Sequence, residues 1–254
     1  MGYAQAGFDV MGVDIREQKH YPFEHLPFIN LTEIDDLNRH FPQASAFHAS
    51  PPCQLFSIGT KKYRNQGKEY PDVLTPLRQK LLATGKPFII ENVPGAPLRR
   101  DLVLCGEMFG LRVIRHRIFE IHGFTVLQPP HIKHKTSLRN GTAVGVYGSN
   151  GTFYMVGKDG YQEKYAEFKQ RYYSAVYSGQ PGGWGKSKED RKKSYYATVA
   201  GHGGDRRNYL LHEWRQAMGI DWMNKRELTQ AIPPAYTEFI GRQVIQYLLP
   251  EIAS

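Results

Sequence analysis

The sequence predicts an α/β protein with a turn-rich lobe set into it, and three observations carry that reading. In residues 1–122 short apolar runs such as "FDVMGVDI", "SAFHAS" and "KPFIIENV" alternate with helix-like stretches such as "DVLTPLRQKLLATG". That is the texture of strands joined by crossover helices in a parallel sheet. From 123 to 207 the chain turns rich in Gly, Tyr, Lys and Ser, and "RNGTAVGVYGSNGT" and "YSGQPGGWGK" read as turns and short hairpins. Residues 208–254 recover helical spacing in "NYLLHEWRQAMGI" and "PPAYTEFIGRQVIQYLL", the second entered through a proline pair suited to a helix start. The expected organisation is a core over 1–122, an inserted lobe over 123–207, and helices over 208–254 that return to the core. No internal repeat is present.

Composition narrows the classes. With 254 residues, of which 41% are hydrophobic, the chain can fill one large core. It has no run of about eighteen apolar residues, and its start, "MGYAQAGFDVMGVDI", lacks the basic flank and apolar stretch of a secretory signal. A soluble, cytoplasmic, monomeric protein with no membrane partner is expected. The two cysteines, Cys53 and Cys105, make no disulfide framework and lack metal-ligand spacing, so no metal is expected. The net charge of +9 is uneven. "HIKHKTSLR" (131–139) and "KSKEDRKK" (186–193) carry much of it, and "KYAEFKQRYYSAVY" interleaves basic with aromatic residues. A phosphate backbone would be attracted there, although a solvated basic surface with no partner has the same composition.

Within the core, "HASPPCQLFS" (48–57) sets two prolines before Cys53. A Pro-Pro pair cannot continue a helix, so Cys53 is expected in a loop at the carboxyl end of the strand "SAFHAS", the edge where ligand crevices open in α/β sheets. A thiol held there is a candidate nucleophile if nearby positive groups favour the thiolate; the alternative is a small buried hydrophobe in a turn. The next apolar strand ends in "ENVPG" at the same edge. Glu91 there is either a general acid or a turn cap with Asn92. In "RVIRHRIFEI", Arg115 and Arg117 alternate along an expected strand and point to one face.

In order, these stretches resemble the DNA cytosine-5 methyltransferases of phages and bacteria. "SPPCQLFS" is similar to that family's Pro-Cys-Gln nucleophile loop, "ENV" to its Glu-Asn-Val motif and "RHR" to its Arg-x-Arg. "EWRQAMGIDW" resembles the Arg-x-x-x-Gly-Phe-Pro segment, and "TQAIPPAY" the Gly-Asn-Ala-Val-Pro motif. The resemblance covers most of 1–122 and 208–254, and it implies a Rossmann-like S-adenosylmethionine-dependent methyltransferase sheet with 123–207 as the target-recognition lobe.

It further implies that Cys53 adds to C6 of a cytosine flipped out of double-stranded DNA, turning C5 into an enamine carbon that takes the methyl group of S-adenosylmethionine. Glu91 would protonate N3, Arg117 would face O2, and Arg115 would help hold the loop and base. Gln54, Ser57 and Asn92 would contact the substrate. Loss of the C5 proton then expels Cys53. On the cofactor side, Asp14 at the end of "FDVMGVDI" would accept the ribose hydroxyls, Ile15 would pack on adenine, and Pro52, Gln230, Ala231 and Ile232 would complete the contacts.

The sequence departs from the family pattern at its start. The family's opening strand and turn, Asp-Leu-Phe-x-Gly-x-Gly-Gly, have no counterpart ahead of "MGYAQAGF", and Gln230 stands where the family has Asn. A sheet without that central strand is expected to be unstable and to bind cofactor weakly. Two other readings follow: an RNA cytosine-5 methyltransferase, and a DNA-binding homologue impaired in catalysis. A paired restriction enzyme is compatible with the first reading, and the target sequence is not legible.

Overall fold

A computed structural model describes residues 1–131, 133–136, 142–146, 154–156, 162–164, 196–198 and 209–252. In chain order its elements are α1 (Gly2–Gln5), β1 (Met11–Asp14), β2 (Glu24–Pro27), α2 (Leu37–His40), β3 (Phe47–Ala49), α3 (Lys61–Asn65), α4 (Leu74–Ala83), β4 (Phe88–Asn92), β5 (Leu102–Leu104), β6 (Arg117–His122), β7 (Tyr154–Val156), β8 (Gln162–Lys164), β9 (Tyr196–Thr198), α5 (Leu211–Met218), α6 (Lys225–Gln230) and α7 (Pro234–Ile252).

The run "FIIEN" becomes the spine because its alternate residues find apolar cover on both sides. All five residues of β4 are buried. Phe88 and Ile90 pack with Leu74, Leu77 and Leu81 of α4, while Ile89 packs with Tyr236, Ile240, Val244 and Leu248 of α7. The α7 residues recur every four positions, one stripe of a helix. Helices therefore cover both faces of the sheet, and the architecture is α/β. Each fully buried Leu or Ile contributes about 1.5–3 kcal/mol relative to exposure. Arg78 of α4 reaches across to Glu120 of β6 through two hydrogen bonds of 3.0 and 2.8 Å, which neutralises a buried carboxylate.

The strands do not form one parallel sheet. β1 and β2 pair in parallel as a two-stranded sheet, and a separate four-stranded sheet has the order β3-β4-β6-β5. Within it β3 and β4 are parallel, whereas β6 runs antiparallel to both β4 and β5. The apolar alternation that predicted strands carries no direction, since it is the same in parallel and antiparallel pairs. Among the described residues no strand lies between β1 and β3, so each presents an unpaired edge.

α1 closes onto α7 at very short range. A Cβ placed on Gly2 would lie 2.0 Å from the Pro234 carbonyl oxygen, and one placed on Gly241 would lie 2.8 Å from the Ala6 Cβ. Only glycine permits that approach. β7, β8 and β9 form a small antiparallel sheet within the segment expected as the lobe. Most of the remainder of that segment, including "YSGQPGGWGK" and the basic run 186–193, lies outside the described residues. Among the described residues no helix is long and apolar enough to cross a membrane.

Candidate functional site

The loop after β3 is built to hold Cys53. Pro51 and Pro52 end the strand, and Cys53 opens a 3-10 turn, Cys53–Leu55, with its carbonyl accepting from Phe56 N (2.9 Å) and Ser57 N (2.8 Å). Asn92 at the end of β4 donates from Nδ2 to the Pro51 carbonyl at 3.0 Å, tying the loop to the neighbouring strand. Arg64 Nη1 donates to the carbonyls of Gln54 (2.7 Å) and Ser57 (2.9 Å) from the other side. Ser57 Oγ accepts from Gly59 N at 3.2 Å. Asn92 and Ser57, expected against substrate, hydrogen-bond within the Cys53 loop, and Arg64 is a holding residue the sequence reading did not single out.

Three charged groups converge on the thiol. Arg117 Nε lies 2.7 Å from Glu91 Oε1 in a pair of which both members are largely buried. The register explains it: Glu91 is opposite Phe119, so Arg117, two residues earlier on β6, is its diagonal neighbour on the same face. Arg115 lies just before β6 rather than in it, contrary to the expected strand alternation. Its guanidinium donates to the Val146 carbonyl (2.9 Å) and the Thr229 carbonyl (2.6 Å), and its own carbonyl accepts from Tyr236 Oη at 2.7 Å. Burial, with Arg117 nearby, lowers Arg115 to about 9.

The electrostatics set the resting protonation states. Burial pushes the Cys53 thiol up; Arg117 and Arg115 pull it down, and Glu91 adds to the rise. Both arginines favour the thiolate, as expected of nearby cations, but they do not outweigh burial. Burial wins, and the resting group is a thiol. Glu91 is raised by the same cause, burial, against the opposing pull of Arg117, a hydrogen bond from Ser50, and Arg115.

Behind Glu91 runs a chain of polar side chains that sequence reasoning missed. Tyr3 Oη is 2.7 Å from His48 Nδ1, His48 Nε2 is 3.1 Å from Ser50 Oγ, and Ser50 Oγ hydrogen-bonds Glu91. Burial lowers His48 to about 4, so its ring is neutral at pH 7. With Tyr3 donating to Nδ1, Nε2–H donates to Ser50, whose hydroxyl proton is left to point at Glu91. The only sequence signal was the alternation of His48 and Ser50 on one face at the end of β3. Ser50→Ala removes a donor that holds the carboxyl down, so the titration of the Glu91 side-chain carboxyl resonance should move to higher pH. A midpoint that stays or falls refutes the hydrogen bond.

A cavity of about 490 Å³ opens between the two sheets, lined among others by Asp14, His48, Ser50, Trp222, Gln230, Ala231 and Ile232. Its size is that of a small-molecule site. Asp14 accepts from Arg16 N (2.8 Å) and Gln18 Nε2 (3.0 Å), which leaves lone pairs on both oxygens for further donors. Trp222 Nε1 is buried without a partner. Ile15 is 57% exposed next to Asp14 and does not line the cavity, and Pro52, also exposed, lies outside it. Of the six expected cofactor residues, the fold gathers Asp14, Gln230, Ala231 and Ile232.

A separate group was also missed: Cys105, His116, His131 and His134 bring their ligand atoms within 4.8 Å of one another. The sequence signal is His-x-x-His in "HIKH", which also carries part of the basic charge.

No protein-family profile matches the chain, and no curated protein matches it. Among solved structures it is similar to a DNMT2 mutant from Spodoptera frugiperda, at 13% identity and a TM-score of 0.48, over 98% of this chain and 95% of that one.

Proposed function

We propose that the chain is a DNA cytosine-5 methyltransferase in which Cys53 is the nucleophile. The observation that carries the reading is the placement of a loop-held thiol beside a buried Glu91–Arg117 pair at the carboxyl edge of β3 and β4. A cytosine brought to that edge would meet a nucleophile at C6 and an acid at N3, with a guanidinium at O2. Cys53 gives its proton to solvent and its sulfur bonds to C6. The electron pair displaced from the ring is met at N3 by the Glu91 proton, while Arg117 stabilises charge at O2. Arg115, held by two carbonyls, keeps the segment before β6 in place. After transfer, the C5 proton leaves and the C6–sulfur bond breaks.

S-adenosylmethionine fits the cavity by chemistry: Asp14 offers acceptors to ribose hydroxyls, and Gln230, Ala231 and Ile232 form a mixed polar and apolar wall. When bound, it supplies an electrophilic methyl group. The duplex DNA partner rests on the basic charge of 123–207 and on the need to bring a stacked base out to the thiol.

The test is transfer of labelled methyl groups to duplex DNA and to structured RNA, with product nucleosides resolved. Label in 5-methylcytosine of DNA, with binding that weakens steeply as salt rises, is the expected result. Label in RNA alone would move the substrate. DNA binding without any transfer would make the chain a non-catalytic homologue. Exchanging 123–207 for the lobe of a related enzyme should move the methylated site; retention of the original site refutes the recognition role.

A further inference from the structure

We propose that Cys105, His116, His131 and His134 form a tetrahedral zinc site that ties the start of the middle lobe to the sheet. Three stretches contribute. Cys105 follows β5 at the head of the 3-10 turn Gly106–Phe109, His116 sits immediately before β6, and His131 and His134 lie on the segment that leaves the core after β6. Cys105 is buried, His116 and His134 half-buried and His131 exposed, which gives an ion a way in.

The spacings match a shared metal. His116 Nε2 lies 3.0 Å from His131 Nε2 and 3.3 Å from His134 Nε2. Two nitrogens bound tetrahedrally at the zinc–imidazole distance of about 2.0–2.1 Å stand about 3.3 Å apart. A proton on His116 Nε2 shared between the other two rings would account for the two nitrogen contacts but not for the cysteine sulfur gathered with them. His134 Nδ1 hydrogen-bonds the Glu107 carboxylate, which accepts only, so that nitrogen carries the proton and Nε2 presents a lone pair to the cluster. A divalent cation would take a lone pair from each of the three Nε2 atoms and from the Cys105 sulfur, which a shared proton cannot do.

The surroundings are those of a ligand set. Glu107 orients His134 as carboxylates orient metal-bound imidazoles, and is itself fixed by Lys135 N (3.1 Å) and Thr136 N (2.7 Å). The Cys105 sulfur faces the backbone N–H groups of Glu107 and Arg115, donors that suit a thiolate. One thiolate with three imidazoles is a closed, four-ligand set, the pattern of a structural rather than a catalytic zinc. On binding, the thiol releases its proton to solvent. Because His116 stands between Arg115 and Arg117, the ion would also brace the segment that presents both arginines.

The experiment is metal analysis of the purified full chain, followed by chelation and titration with zinc and with cobalt as a spectroscopic probe. Expected are one zinc per chain and a cobalt form with intense tetrahedral d–d bands and a thiolate charge-transfer band. Cys105→Ser should remove the charge-transfer band, and Cys53→Ala should keep it. Glu107→Gln should weaken zinc binding by about ten- to a hundredfold. His131→Ala, at an exposed position that leaves folding intact, should weaken it more. A chain that retains no zinc and gives only a weak octahedral cobalt spectrum overturns the proposal, as does unchanged zinc affinity in His131→Ala. None of these readouts depends on methyl transfer.

Discussion

Cys53→Ala is expected to abolish the covalent complex that the proposed function requires with duplex DNA carrying 5-fluorocytosine in the presence of S-adenosylmethionine. The reasoning is one of bond accounting. Once the methyl group is on C5, the sulfur–C6 bond breaks only as C5 loses its proton, and fluorine at C5 cannot leave as a proton does, so the adduct persists. Peptide mapping of the wild-type complex should then find the nucleotide on Cys53. The effect should be complete because the other thiol, Cys105, lies beyond β5 in the histidine group. A Cys53→Ala protein that still methylates, or an adduct mapped elsewhere, would refute the assignment.

Glu91→Gln produces two opposite changes that together identify its role. Methyl transfer falls by about two or more orders of magnitude, since an amide cannot deliver the proton that addition at C6 requires, while DNA affinity falls little. The reactivity of Cys53 toward a small alkylating agent rises at the same time. At the pH where the thiol titrates, ionised Glu91 holds it up and Arg117 and Arg115 pull it down. Removing the carboxylate leaves the arginines unopposed, so the thiol titrates at lower pH and a larger fraction is thiolate at neutrality. Loss of transfer without faster alkylation would indicate a collapsed loop instead of a missing acid.

The strands were legible where burial left a strong pattern. β1, β3 and β4 fall within the runs "FDVMGVDI", "SAFHAS" and "KPFIIENV", and α4 within "DVLTPLRQKLLATG", because both periodicities report which side faces the core. Pairing direction was not legible, since alternation is the same in parallel and antiparallel strands, and β6 turned out antiparallel. At the site, Cys53, Glu91 and Arg117 were readable because each is attached to a local motif. The Tyr3–His48–Ser50 chain was not, because Tyr3 and His48 are brought together by the packing of α1 beside β3 and not by spacing. The same holds for Arg115, whose partners, Val146 and Thr229, come from distant segments. The tie from Asn92 to the Pro51 carbonyl was not legible either, since a side-chain amide serves a backbone carbonyl as readily as a base.

The seating of α1 on α7 has a consequence for how the chain acquires its structure. Residues 2–5 are among the first of these to leave the ribosome, and the helix at 234–252 that covers them is among the last, so contacts of extreme sequence separation must close the fold. Until then the apolar face of β4 that receives Ile240 and Val244 stays open, and the nascent chain presents a surface that chaperones bind. Tyr3, the far end of the chain of hydrogen bonds to Glu91, is delivered by the same closing step. The hydrogen-bonded chain behind Glu91 would therefore be complete only once the 234–252 helix has joined the fold, in a single late phase.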